Sequence, residues 1–130
     1  MSFDWHEYVV LGRELTARQA LTVSDEALLR TAISRVYYSV YHHALAVAAT
    51  KDHYRYPRGA GLGVHEALIQ HFLQYADADR QAIGGSLETL RNLRVRADYY
   101  DRIPPATLTR NNVLLTFALA DSTLRNLDAL

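Results

Sequence analysis

Residues 24–50 carry apolar side chains at spacings of three and four, and this pattern constrains the fold more than any other feature. The pattern predicts one long helix, because positions three and four apart lie on the same helix face. Ser24 is the expected N-cap, and Asp25 and Glu26 follow in the first turn, where negative charge favours the helix dipole. The apolar stripe consists of Leu29, Ile33, Val36, Tyr37, Val40, Ala44 and Val47.

The same helix has a second face, nearly opposite to the stripe, that mixes polar, aromatic and aliphatic residues. A helix with apolar or aromatic residues on both faces is normally buried on more than one side. This face therefore predicts either a central position in the fold or a contact in a homodimer, and we expect a homodimer. Its members are Thr31, Arg35, Tyr38, His42, Leu45 and Ala49.

Apolar periodicity elsewhere predicts more helices, and no alternating pattern is long enough to predict a strand. Residues 51–63 contain three of the six glycines and predict an exposed loop. Gly84 and Gly85 are expected to weaken the helix that contains them. We expect an all-α fold, an up-and-down bundle of four main helices plus one short helix. The other predicted helices span about residues 3–20, 64–76, 79–98 and 107 to near the end.

Size and charge limit the possible functions. The length of 130 residues suits one domain covering residues 1–130. No apolar run approaches the roughly 20 residues that span a bilayer, and the acidic start lacks a signal pattern, which predicts a cytoplasmic protein without membrane contact. Fourteen basic residues balance fourteen acidic ones, which argues against coating nucleic acid by bulk charge. Thirteen of the basic residues are arginines, which suits a phosphodiester ligand, although codon bias is the simpler explanation.

The segment LRNLRVRADYYD, residues 90–101, is where we expect a functional site. On a helix, Arg91, Arg94 and Asp98 lie along one edge of the apolar face. Two arginines and a carboxylate beside a core are costly to desolvate unless they pair or bind something. The simplest alternative is a structural salt bridge between Arg94 and Asp98, which are four residues apart.

Three segments resemble the signature blocks of the HEPN superfamily. They are SRVYYSVYH at 34–42, GVHEALIQHF at 63–72 and LRVRADY at 93–99. The similarity covers about residues 5–127 and is strongest for small stand-alone bacterial and archaeal members with an Arg-x-x-Ala-Asp-Tyr motif. It implies an up-and-down helical bundle that commonly dimerises. Many members are ribonucleases or toxins, often encoded beside a minimal nucleotidyltransferase (MNT) that acts as antitoxin.

The catalytic pattern of that family is an arginine, often followed by a polar residue, and then a histidine after four to six residues. It supports metal-independent RNA cleavage. The resemblance implies that Arg91 and Arg94 hold phosphate, that Asn92 is the polar residue, and that Asp98 stands at the histidine position. No histidine follows His71. Because a carboxylate near phosphates is a poor substitute for an imidazole, the sequence leaves enzymatic activity open.

Residues outside this pattern are further candidates. We expect a ligand-binding groove formed by Arg35, Tyr38, His42, Asn92 and Tyr99. His42 is also a candidate to replace the missing histidine in space. Packing is the alternative role for His42. Tyr100 holds a position that resembles the tyrosine nucleotidylated by the partner in some toxins, although an exposed tyrosine near a helix end needs no such role.

One more histidine and the question of metals complete the candidates. His65 stands in the first turn of its helix beside glycines, where backbone amides can contact a phosphate; helix capping is the alternative. His42 and His43 are adjacent on a helix and diverge by about 100°, so they do not easily ligate one ion. The sequence predicts no metal site and no cofactor.

Two function classes stay open. One is an RNA-cleaving toxin, and the other is a non-catalytic module that uses the same groove for a nucleotide, an RNA or a partner protein. We expect a HEPN-domain protein of a toxin–antitoxin or defence system that binds RNA or nucleotide, with no robust cleavage by the isolated protein.

Overall fold

The computed structural model describes residues 3–17, 24–104 and 108–130, which form five helices and no strand. The prediction of an all-α fold is confirmed. The helices are α1 (Glu7–Ala17), α2 (Asp25–Lys51), α3 (Val64–Gln74), α4 (Ala78–Tyr99) and α5 (Arg110–Asp128).

The long helix α2 is central and packs against α1, α4 and α5. Its start is as predicted, because the Ser24 Oγ accepts a hydrogen bond of 3.1 Å from the Ala27 N–H. The two faces of α2 predict either a central position or a homodimer contact, and the structure shows the central position. The fully inaccessible residues of α2 are Ala32, Val36, Tyr37, Val40, Ala44 and Ala48.

The N-terminal part of the same chain packs against Arg35 and His42 of the second face of α2 and covers that face in part. The Arg35 guanidinium lies 5.0 Å from the centre of the Tyr8 ring, and the rings of Trp5 and His42 stack with centroids 3.5 Å apart. These contacts are made within one chain, and the homodimer stays a prediction.

The relative helix lengths differ from those predicted. Helices α1 and α3 each have 11 residues, whereas α2, α4 and α5 have 27, 22 and 19, so three helices are long and two are short. Helix α1 begins later than expected because Asp4 forms a turn before it: its Oδ1 accepts a hydrogen bond from the His6 N–H, and its carbonyl accepts one from Glu7. The expected helix end near residue 20 and the start near 107 lie outside the described residues.

The glycine pair of α4 has a packing explanation at one of its two positions. A Cβ added at Gly84 would lie 2.8 Å from the backbone nitrogen of Leu73, whereas one added at Gly85 would meet open space. Gly84 therefore allows α3 and α4 to approach closely, which offsets its low helix propensity.

A buried carboxylate ties α2, α3 and α4 together where α2 ends. The Asp52 side chain is inaccessible, although the sequence predicts an exposed loop there. It accepts hydrogen bonds from the Arg80 Nε at 3.0 Å and the His71 Nε2 at 2.8 Å, and Arg80 also binds Asp77. Burial raises the pKa of Asp52, but the hydrogen bonds from Arg80 and His71 outweigh it and hold that pKa below its usual value.

We expect Asp52→Asn to lower the free energy of unfolding at pH 7 by about 3 kcal/mol. This is the low end of the range for broken buried ion pairs, because Asp77 still binds Arg80. Since the pKa of Asp52 is depressed in the folded state, its contribution is present above about pH 4 and is lost as the pH falls through the folded value. Urea unfolding at pH 7 and pH 3 measures both effects.

Glu88→Gln is the matched control, because Glu88 is an exposed carboxylate of α4. It should change the free energy of unfolding by less than about 0.5 kcal/mol. A similar loss for both variants, or a difference between them that persists undiminished at pH 3, would contradict a structural role for the Asp52 ion pair.

Candidate anion-binding site

Arg94 of α4 lies at the centre of the site and is only 6% exposed. Its guanidinium carbon lies 5.3 Å from the centre of the Tyr37 ring and 5.4 Å from that of Tyr38. Contact with aromatic faces compensates part of the lost hydration of the cation. The Arg94 Nε is nevertheless buried without a hydrogen-bond partner among the described residues.

The predicted pair of Arg94 with Asp98 is present, but its contact is long. The Arg94 Nη1 lies 3.5 Å from the Asp98 Oδ2, and the Asp98 side chain is 28% exposed. The Ser34 Oγ donates a hydrogen bond of 3.2 Å to the same oxygen, and the Arg35 Nη2 donates one of 3.3 Å to Ser34. Asp98 thus acts as a counter-charge that links α4 to α2, and it leaves other donors of Arg94 unpaired.

Arg91 adds a second cation one turn earlier on α4. Arg91 is partly buried. Its Nε is inaccessible to solvent and has no hydrogen-bond partner among the described residues. Its guanidinium makes no hydrogen bond or ion pair within residues 3–17, 24–104 and 108–130. A buried donor left unsatisfied costs about 1–3 kcal/mol, so two such arginines side by side favour a ligand that accepts hydrogen bonds.

His65 brings an imidazole to the two arginines. Its Nδ1 lies 2.7 Å from the hydroxyl of Tyr37, and its ring lies 4.4 Å from that of Tyr41. Burial, and then the charges of Arg94 and Arg91, lower the pKa of His65 to about 4. The imidazole is therefore neutral at pH 7, although two cations lie close to it.

The tautomer of His65 follows from the hydroxyl that it contacts. Burial raises the pKa of Tyr37, so the phenol keeps its proton. A buried phenol O–H without an acceptor is costly, and the His65 Nδ1 is the partner that the described residues give it, so we infer that the hydroxyl donates to the Nδ1. A neutral imidazole that accepts at Nδ1 carries its proton on Nε2. In that tautomer His65 carries an N–H donor at Nε2, on a ring close enough to Arg91 and Arg94 for their charges to lower its pKa.

The start of α3 adds to the positive potential around His65. Its N-cap is Gly63, which makes no side-chain capping bond, and the alternative role of His65 in capping is wrong because its side chain binds Tyr37 instead. Unsatisfied N–H groups and the helix dipole favour negative charge at such a terminus. The dipole therefore acts in the same direction as the arginines.

The structure brings several of the other predicted residues to this site. The Arg35 guanidinium lies 5.4 Å from the Tyr38 ring centre. His42 lies one turn further along α2, 6.4 Å from Tyr38 between ring centres, and burial lowers the pKa of His42. The Tyr99 ring centre is 6.0 Å from Arg94, although that side chain is 71% exposed.

Two predicted residues do not join the cluster. Asn92 is exposed and makes no hydrogen bond with another described side chain. Tyr100 is exposed, and its carbonyl accepts a hydrogen bond of 2.6 Å from Arg30, which also binds the Ala97 carbonyl at 3.0 Å. Arg30 thereby satisfies carbonyls at the end of α4 and fixes the turn that carries Asp98.

Within the described residues, no group of three or more histidine, cysteine, aspartate or glutamate side chains is arranged to hold a metal ion. None of the helices in these segments combines the length and apolar character that crossing a membrane requires. Comparisons of the chain with protein-family models, with curated proteins and with solved structures found no significant match.

We expect Asp98→Ala to lower the free energy of unfolding by about 2–3 kcal/mol, because it leaves the buried Arg94 without its counter-charge. The effect should be smaller than for a fully buried pair, since Asp98 is partly exposed and the contact is long. Thermal and urea unfolding measure it. Asp101→Ala, which removes an exposed carboxylate three residues later, is the control. If both variants unfold like the parent, Arg94 does not depend on Asp98.

Proposed function

We propose that this chain is a HEPN-like helical protein that binds RNA through phosphate groups held at Arg91 and Arg94. The observation that carries the proposal is the pair of buried arginine Nε atoms that lack a partner in the described residues. Phosphate oxygens accept such donors well, because the guanidinium fork matches their geometry. The neutral His65 offers a further donor beside them.

The surroundings of the arginines favour a nucleic-acid phosphate over a small inorganic anion. The rings of Tyr38 and Tyr99 lie beside Arg94, and His42 lies next to Tyr38, so this part of the site offers rings on which bases can stack. The zero net charge of the chain means that affinity arises from a few local contacts rather than from bulk attraction. We therefore propose a short single-stranded segment as the bound form.

Binding without cleavage fits the donors and acceptors best. Attack by a 2′-hydroxyl requires a base to take its proton. The Asp98 carboxylate is already bound to Arg94 and Ser34, and the His65 Nδ1 accepts from Tyr37. The alternative, a metal-independent endoribonuclease, is favoured by one observation: a neutral imidazole lies beside two arginines. In that case His65 would act as the base after its proton moves from Nε2 to Nδ1.

The sequence resemblance supplies the biological part of the proposal. It suggests a role in a toxin–antitoxin or defence system, with an MNT protein as partner, Tyr100 as its modification site, and a homodimer as the assembly. Tyr100 is 53% exposed, as a modification site requires. An MNT protein that binds the purified chain and nucleotidylates Tyr100 would support this part.

Arg91→Ala should weaken binding of a fluorescently labelled single-stranded RNA about tenfold or more, because it removes charged donors to phosphate. The slope of log affinity against log salt should fall by about one. Fluorescence anisotropy measures both quantities. Arg96→Ala is the matched control, since Arg96 is an exposed arginine of the same helix. Equal weakening by both variants would indicate nonspecific attraction and contradict the proposed site.

The isolated protein should leave RNA intact in EDTA, even at high protein concentration. The ribonuclease alternative expects fragments with 2′,3′-cyclic phosphate ends, because the 2′-hydroxyl is the nucleophile. Gel electrophoresis and mass spectrometry of the products distinguish the two. Cleavage that disappears in both Arg94→Ala and His65→Ala, with circular dichroism unchanged, would support the ribonuclease alternative and contradict the proposal of binding without cleavage.

A further inference from the structure

A second concave region lies between α2, α5 and the segment that precedes α1. It is a cleft of about 840 Å³ that opens to solvent. Neither Arg91 nor Arg94 lines it, and His42 is the residue that it shares with the anion-binding site. Its lining includes Phe3, Asp4, Trp5, His42, Arg125 and Asp128.

One wall of the cleft is aromatic. The Trp5 and His42 rings lie nearly parallel, at 11°, with centroids 3.5 Å apart. Phe3 packs edge-on against Trp5 at 5.0 Å. Both Trp5 and His42 remain partly exposed. Flat, partly exposed rings of this kind are the surfaces on which bases stack in single-strand-binding proteins.

The aromatic wall continues into the anion-binding site. The His42 ring stacks on Trp5 and also lies 6.4 Å from the Tyr38 ring centre. Tyr38 in turn lies 5.4 Å from the guanidinium of Arg94. Because Tyr38 and His42 are one turn apart on α2, they lie on the same helix face. A row of rings therefore connects the cleft with the arginines.

The rim of the cleft carries both signs of charge. Asp128 accepts a hydrogen bond of 2.7 Å from the His43 Nε2, Asp121 pairs with Arg13, and Arg125 is exposed nearby. The edge of a nucleobase offers donors and acceptors together, which suits this mixture. The carboxylates Asp4 and Asp128 make this rim less suited to a phosphate than the site of Arg91 and Arg94. The cleft thus fits a base, and the arginines fit a phosphate.

We propose that the cleft beside Trp5 and His42 binds an unpaired base of a single-stranded RNA whose phosphate is held at Arg91 and Arg94. The inference rests on the proposed function and adds to it a separate place for a base, in the cleft lined by Trp5 and His42. A free nucleotide also contains a base and a phosphate, so the experiment must distinguish binding of an RNA strand from binding of a nucleotide.

Trp5 is the only tryptophan of the chain, so its fluorescence reports on this cleft alone. A short single-stranded RNA should quench or shift the Trp5 emission, whereas ribose 5-phosphate, which has no base, should leave it unchanged. The RNA should bind at least tenfold more tightly than a nucleoside monophosphate. If a nucleoside monophosphate binds as tightly as the RNA, the ligand of the cleft is a free nucleotide, and the proposal of a single-stranded RNA is wrong.

Substitutions at His42 separate base binding from phosphate binding. His42→Ala should weaken RNA binding several-fold with a similar affinity for ribose 5-phosphate. His42→Phe, which retains a ring, should restore RNA binding and exclude a simple loss of folding. His53→Asn is the matched control, because His53 is an exposed histidine with a positive φ of 55° that asparagine tolerates.

The results distinguish a failure of this inference from a failure of the proposed function. If RNA binds in an Arg91-dependent manner while the Trp5 emission and the His42→Ala affinity stay unchanged, the base lies elsewhere and the inference is wrong. The proposed function then stands. If neither RNA nor ribose 5-phosphate binds to the folded protein, the anion-binding site itself is wrong, and the cleft proposal falls with it.

Discussion

The burial of α2 on several sides is the constraint on which the other features depend. Its aliphatic stripe packs into the core, so the polar and aromatic residues of its remaining surface must find partners on the neighbouring helices. Tyr37 binds His65 of α3, Ser34 binds Asp98 of α4, and Arg35 packs against Tyr8 of α1. The candidate site is thus built from the side chains that join α2 to its neighbours.

This origin explains why the site is rich in donors. The polar connections each use an acceptor. Asp98 accepts a hydrogen bond from Ser34 and pairs with Arg94, and the His65 Nδ1 accepts from Tyr37. The carbonyls at the end of α4 accept from Arg30. The Nε atoms of Arg91 and Arg94 then have no acceptor left in the described structure. An anionic ligand supplies the acceptors that the packing has consumed, which is the physical basis of the proposed RNA binding.

The features that the sequence predicts correctly are local ones. Apolar spacing identifies α2, the Ser24 cap follows from its residue type, and the Arg94–Asp98 contact follows from a separation of four residues. The Tyr37–His65 bond and the Trp5–His42 stack escape prediction because they depend on how separate helices are rotated and placed. The same holds for Gly84, whose helix propensity argues against its position while the approach of Leu73 requires it.

Asp98 illustrates how one position changes the chemistry of the whole site. A histidine there would have to stay neutral next to the buried Arg94, because a second cation would be repelled, and Arg94 would lose its counter-charge. With aspartate, the arginine is partly neutralised and can remain 6% exposed against two tyrosine rings. The same carboxylate is then bound and ill-placed to take a proton. Stability of the buried cation and base catalysis therefore compete at this position, and the aspartate favours a stable site that binds.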